Sequence, residues 1–178
     1  MKNIIYTTVS LMMALVMISC EKDEIGGTAT EAAAGQWYVT YDGCDANGKV
    51  VEGAADYNGG RSLVITYNTS ANSSNQMFVD DLGNFLGFKG IATVDLTNLR
   101  FSTMGAVTSE SKVDKTVSKE FTISDGVIVK NGGVQKNGSV SDSISFFIQY
   151  KTDKNAEGDG FVKYHVHGVR YSGLAEND

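Results

Sequence analysis

From Trp37 to Tyr171 the chain repeats one pattern: short runs of alternating apolar and polar residues, each closed by glycine, asparagine or aspartate. A period of two places the apolar side chains on one face of a strand. Trp37, Val39 and Tyr41 alternate with Gln36, Tyr38 and Thr40. In Arg61–Asn68, Leu63, Ile65 and Tyr67 share one face and Val64 and Thr66 the other. Ile144, Phe146, Ile148 and Tyr150 alternate over a long run, and Phe161–Tyr171 supplies the last one. The chain holds 20 glycines and no proline, so its turns rest on Gly, Asn and Asp, which tolerate positive φ.

Asp45–Gly48 reads as a hairpin turn, with Val50 and Val51 as a short return strand and residues 52–60 as a loop. Met77, Phe78 and Val79 open a strand that stops at Asp80–Asn84. Phe85–Leu96 runs back, and Gly87 and Gly90 within it mark bends of the kind a small barrel needs at its corners. Leu99 and Phe101 form another strand, and residues 104–118 read as strand plus loop. Phe121–Ile123 and Val127–Val129 read as a hairpin about Ser124-Asp125-Gly126, and Lys151–Gly160 as a polar turn region. No stretch of the folded part carries a helical period. The expected fold is all-β, a single antiparallel up-and-down β-barrel of about eight strands, with a two-sheet sandwich as the competitor.

The N-terminus carries a different signal. Lys2 precedes an apolar run from Ile4 to Ile18, too short and too early for a stable spanning helix, so residues 1–19 read as a cleaved signal peptide. Ser19-Cys20 at its end resembles the lipobox of bacterial lipoproteins, although Met17 departs from the usual Leu. That resemblance makes Cys20 the lipidated first residue of the mature chain. Glu21-Lys22-Asp23-Glu24 looks like the surface-export signal of Bacteroidetes lipoproteins. The expected location is the outer membrane, displayed at the surface or otherwise on the periplasmic face. Residues 20–34 then form the lipidated Cys and a flexible tether, in which the spacer 25–34 has a reach of about 20 Å. The barrel domain spans 35–173, and 174–178 form a tail.

A net charge of -6 without a Lys/Arg cluster speaks against nucleic acid, whose phosphates need a positive field. The expected partners are the membrane, through the anchor, and a lipid or small hydrophobic molecule.

Gly35-x-Trp37 resembles the Gly-x-Trp motif of lipocalins, in which the tryptophan closes one barrel end beneath an arginine from the last strand. Arg170 stands at the matching place. A narrower likeness covers Ala34 to Gly173. Gly35-Gln36-Trp37-Tyr38-Val39, Thr66-Tyr67-Asn68-Thr69, the run Met77–Phe85 and Gly168-Val169-Arg170-Tyr171 are similar to a Bacteroidetes family called "lipid-binding putative hydrolase". The resemblance implies a calycin-type barrel and a lipid ligand. It transfers no hydrolase residues.

Chemistry is sparse. Adjacent Asp80 and Asp81 point to opposite faces of a strand end, which opposes a shared-proton pair. A calcium site with Asn84 is weaker than a polar turn before Gly83. His165 and His167 share one face of the last strand with Lys163 and are expected to point outward; a metal there needs a third ligand from a neighbouring strand, and none is assigned. Cys44, among Asp42 and Asp45, reads as a packed side chain rather than a nucleophile. There is no Gly-x-Ser-x-Gly elbow, no phosphate-cradling loop and no dinucleotide fingerprint, so no catalytic residue and no cofactor is assigned.

What remains is an apolar interior. Its candidate ligand-lining residues are Val39, Tyr41, Leu63, Ile65, Tyr67, Met77, Val79, Phe85, Phe88, Ile144, Phe146 and Ile148. Burying about 400 Å² of an acyl chain there yields about 10 kcal/mol before association costs. Lipid binding is therefore the leading expectation. The alternative is a surface protein with a filled core that binds glycan or protein through exposed Tyr38, Tyr57 and Phe147. A hydrolase comes third.

Overall fold

The computed structural model of the chain describes residues 27–109 and 116–177. Its strands are β1 (Gly35–Cys44), β2 (Ser62–Asn68), β3 (Gln76–Asp80), β4 (Lys89–Asp95), β5 (Arg100–Ser102), β6 (Val107–Thr108), β7 (Glu120–Val134), β8 (Val140–Tyr150) and β9 (Lys163–Arg170). Among the described residues, helix is confined to α1 (Lys154–Gly158) and the 3-10 turns Glu31–Ala33 and Ala175–Asn177. The expected signal peptide, Cys20 and the Glu21–Glu24 motif lie outside the described residues.

Every pairing between the described strands is antiparallel and joins consecutive strands except at β1–β9 and β5–β7, and β1 lies between β2 and β9. β5 pairs with β7, which closes an eight-stranded barrel. β6 sits on the same edge of β7, opposite Glu120 and Phe121, while β5 lies opposite Gly126 and Val127. Between them Thr103 N–H donates to the Ile123 carbonyl at 3.0 Å. β5 and β6 are thus two pieces of one stave.

The closure corrects the expected hairpin at Ser124-Asp125-Gly126. Residues 120–134 form one strand, and Asp125 sits at φ 53° in a register shift against β8 between Ser124 and Val127. This is a β-bulge, which bends its strand without ending it. A Cβ on Gly126 would lie 2.4 Å from the Phe101 carbonyl oxygen, so the glycine admits β5 at the point where the barrel shuts. The turn into β8 comes later, where Gly138 N–H donates to the Gln135 carbonyl at 2.9 Å.

Other expectations shift for local reasons. Val50 contributes one bridge to Cys44 rather than a strand, because the chain from Asp45 to Gly60 folds over the barrel end. Its ties there include Gly43 N–H to the Ala54 carbonyl and Tyr57 N–H to the Tyr41 carbonyl, both 2.7 Å. β4 begins at Lys89, not Phe85, because residues 81–88 wrap around the Asp81 carboxylate. Within Lys151–Gly160 the Asp153 side chain caps α1 by accepting from Asn155 and Ala156 N–H. Both flanks are tied to the barrel as well. Thr30 and Ala33 are fully buried, and Ala29 N–H donates to Asn72 at 2.9 Å, so residues 29–34 are not free spacer. Asn177 is buried and accepts from Arg61 and from Asn137 N–H.

The core fills the barrel. Trp37, Tyr41, Phe88, Phe121, Phe146 and Tyr164 are each at most 1 % exposed. Phe146 reaches Phe101 and Phe88 at centroid distances of 5.6 and 6.3 Å.

Candidate functional site

Residue 37 lies inward on β1 at one end of the barrel, directly opposite Arg170. The guanidinium stands 4.6 Å from the indole centroid, a contact that contributes about 0.5–2 kcal/mol. Trp37 Nε1 donates to Thr66 Oγ1 at 3.0 Å, and that hydroxyl donates to the Ala33 carbonyl at 2.6 Å. Arg170 also donates to the Ala34 carbonyl at 3.1 Å and meets Asp142 at 3.2 Å. Indole, guanidinium and the 3-10 turn close this end with their polar atoms satisfied.

The opposite end is built differently. Tyr41 on β1 and Tyr150 on β8 continue the inward faces that begin with Trp37 and Ile144. Their hydroxyls are buried and meet no hydrogen-bonding partner among the described residues. Beside them lies the fully buried Asp81, whose carboxylate accepts from Gly83, Leu86 and Gly87 N–H at 2.8–3.0 Å. Burial raises the Asp81 carboxyl above the usual carboxylate range, against the pull of those N–H groups. Burial first, then the Asp81 charge, pushes both tyrosines well above the usual phenol value. Both hydroxyls therefore stay protonated and available as donors.

Aromatic rings cover this end. Tyr57, Phe85, Phe161 and Tyr164 pack edge-on or tilted at centroid distances of 4.8–6.3 Å, and Tyr41 meets Phe85 at 4.9 Å. Tyr164 donates to Asp153 at 2.7 Å and Tyr57 to Asp159, which fastens the cover to α1. A groove of about 470 Å³ opens alongside, lined by Ala106, Glu120, Phe121, Thr122, Gln149, Tyr150 and Lys151. Phe121 and Tyr150 join it to the interior, since Phe121 also packs 5.8 Å from Phe88.

Of the residues expected to line the interior, Val39, Tyr41, Met77, Val79, Phe88, Ile144, Phe146 and Ile148 are all at most 1 % exposed. Phe85 is half-buried in the aromatic cover. Leu63, Ile65 and Tyr67 face outward, which corrects their placement. Val64 pairs with inward Trp37, so its neighbours on β2 turn away, and Tyr67 stacks on Phe78 at 5.2 Å. A strand with bulk on both faces gives no period to choose between them. Tyr38, Tyr57 and Phe147, expected exposed, are half-buried and engaged with Tyr171, Phe161 and His165.

Sequence reading missed Tyr150, Asp81 and Phe121 as site residues. Tyr150 was legible, since it extends the Ile144, Phe146, Ile148 face. Asp81 was not, because nothing local tells a buried turn carboxylate from an exposed one. Both histidines of the chain lie on the outer wall, half-buried, stacked 4.7 Å apart, with Asp42 of β1 facing His165 across the ladder. Burial and then His167 hold the His165 imidazole below its usual value.

The model of a family described as "lipid-binding putative hydrolase" matches residues 22–175 of this chain. No curated protein matches it.

Proposed function

This chain belongs to the family of lipid-binding putative hydrolases, and from that premise we propose that it is a lipid-anchored carrier or receptor for a neutral lipid. The observation that supports the reading is the pair of buried hydroxyls, Tyr41 and Tyr150, that meet no partner among the described residues at the end of the barrel away from Trp37. A buried hydroxyl without a partner costs about 1–3 kcal/mol. A ligand bearing an ester, carbonyl or hydroxyl group offers what both lack. The groove beside Phe121 and Tyr150 suits an apolar chain. A free carboxylate is disfavoured at the same place, because the Asp81 charge already acts on both tyrosines.

Anchoring belongs to the same proposal. Residues 1–19 act as the signal, Cys20 carries the acyl groups, and the acidic segment after it directs the protein to the outer membrane surface. Because residues 29–34 are tied to the barrel, the spacer is shorter than the sequence alone implies and holds the domain near the bilayer.

Displacement of N-phenyl-1-naphthylamine by monoolein, with sodium oleate in parallel, tests the ligand. Displacement by monoolein at micromolar concentration, and weaker displacement by oleate, is expected. Failure of both to displace the probe overturns the reading. A second reading, a surface protein binding glycan or protein through its loops, is favoured by how fully Trp37, Phe88 and Phe146 occupy the interior. Metabolic labelling with an alkyne fatty acid tests the anchor; unlabelled protein, or label retained after Cys20→Ala, removes it.

A further inference from the structure

We propose that Asp42, His165 and His167 form a binding site for a divalent transition-metal ion on the outer wall of the barrel. The three side chains present one ligand atom each, all within 4.8 Å of one another. They come from two paired strands, with Asp42 directly opposite His165 and His167 one pleat further along β9. The ladder therefore sets their spacing, and no loop has to move to assemble them.

The chemistry of the set is selective. Two imidazoles and one carboxylate suit zinc, iron or cobalt and not the hard cations calcium and magnesium, which demand oxygen donors. Donors on a tetrahedral ion with bonds of about 2.0–2.1 Å lie about 3.3 Å apart. Asp42 Oδ2 and His167 Nε2 already stand 3.0 Å apart. His165 offers its own ligand atom within 4.8 Å of both.

Groups around the cluster hold it as outer-shell partners hold metal ligands. Asp42 Oδ1 accepts from Asp56 N–H at 2.7 Å, which leaves Oδ2 free to face the histidines. Ser145 Oγ lies 2.8 Å from His165 Nε2. Thr40 Oγ1 lies 3.3 Å from His167 Nε2, the nitrogen that faces Asp42, and so sits beside the ligand atom rather than behind it. Phe147 stacks on His165 at 4.9 Å and backs the ring on its far side. The one cation on this face of β9, Lys163, is drawn off. Its Nζ donates to the Ala46 carbonyl at 3.0 Å and stands 4.5 Å over the Phe147 ring. The His167 side chain is 42 % exposed and that of Asp42 16 %, so an ion reaches the site from solvent and keeps a position for water.

The site lies on the outer face of the wall, whereas the Tyr41 and Tyr150 side chains point inward, so it stands or falls separately from lipid binding. Its test is titration of the full-length chelator-treated protein with Zn²⁺ and with Co²⁺, followed by calorimetry and by the visible absorption of cobalt. One equivalent is expected to bind, with cobalt bands of low-symmetry nitrogen and oxygen coordination. Asp42→Asn, His165→Gln and His167→Gln are each expected to weaken Zn²⁺ binding by at least about tenfold. Circular dichroism of the metal-free variants is expected to match the parent, since all three side chains lie outside the core. No binding by the parent overturns the site. So does unchanged affinity in any of the three variants, which would place the ion elsewhere, for instance on Cys20 or Cys44.

Discussion

A methyl group on Gly35 would lie 2.5 Å from Arg170 Nη1 and 3.1 Å from the Trp37 ring. The glycine of Gly35-x-Trp37 is thus a steric allowance for the guanidinium that covers the indole. Gly35→Ala is expected to displace Arg170 and lower stability by about 1–3 kcal/mol, as overpacking does. Thermal unfolding measures the loss, and a changed Trp37 emission reports the altered cover. An unchanged melting temperature and spectrum would show that the end of the barrel tolerates the methyl.

The same arginine links this end to a pH response. Burial alone would raise the Asp142 carboxyl, but Asn131 N–H, Lys130 and Arg170 outweigh it and hold it below the usual carboxylate range. A folded value below the unfolded one adds stability above about pH 4, and that stability is lost as pH falls through the folded value. Asp142→Asn is expected to destabilise at neutral pH and to make much less difference at about pH 3. Urea unfolding of both proteins at the two pH values measures it. Equal losses at both would assign the effect to packing instead of charge.

Legibility differed by element. β1 and β8 alternate strictly, with one bulky face each, so both were plain in the sequence. β2 carries Leu63, Ile65 and Tyr67 against Val64 and Thr66, and hydropathy alone chose the wrong face; the register with Trp37 decides it. β7 was broken in two because Ser-Asp-Gly has the composition of a turn whether it ends a strand or bends one. Trp37 and Arg170 were paired through motif and resemblance. The orphaned hydroxyls were not legible, since hydrogen-bond satisfaction depends on all the strands together. Asp42 joined the two histidines only once the pairing of β1 with β9 was known.

Gly126 permits a sharper test of closure. Its Cβ would meet the Phe101 carbonyl oxygen at 2.4 Å and ring carbons at 2.6 Å, and backbone cannot yield as a side-chain tip can. Gly126→Ala is expected to cost about 3 kcal/mol or more, at the upper end for single substitutions. The loss should concentrate at the seam. Amide exchange at Ile128, whose N–H donates to the Leu99 carbonyl at 2.9 Å, is expected to rise more than exchange within β1 and β9. Uniform acceleration through the sheet would mean that β5 and β7 are not a separable closure.

The hydroxyls of Tyr41 and Tyr150 set stability against binding. If they are kept to meet a ligand, removing them relieves the empty protein and penalises the complex. Tyr41→Phe and Tyr150→Phe are each expected to leave unliganded stability unchanged or raise it by up to about 1–3 kcal/mol. The same changes are expected to weaken monoolein binding about tenfold each, the equivalent of one hydrogen bond of about 1.4 kcal/mol. Thermal unfolding without ligand and probe displacement with it provide the two readouts. A merely structural hydroxyl, satisfied by water, would lower stability when removed and leave affinity alone. That opposite pattern at both positions would place the ligand elsewhere than between these rings.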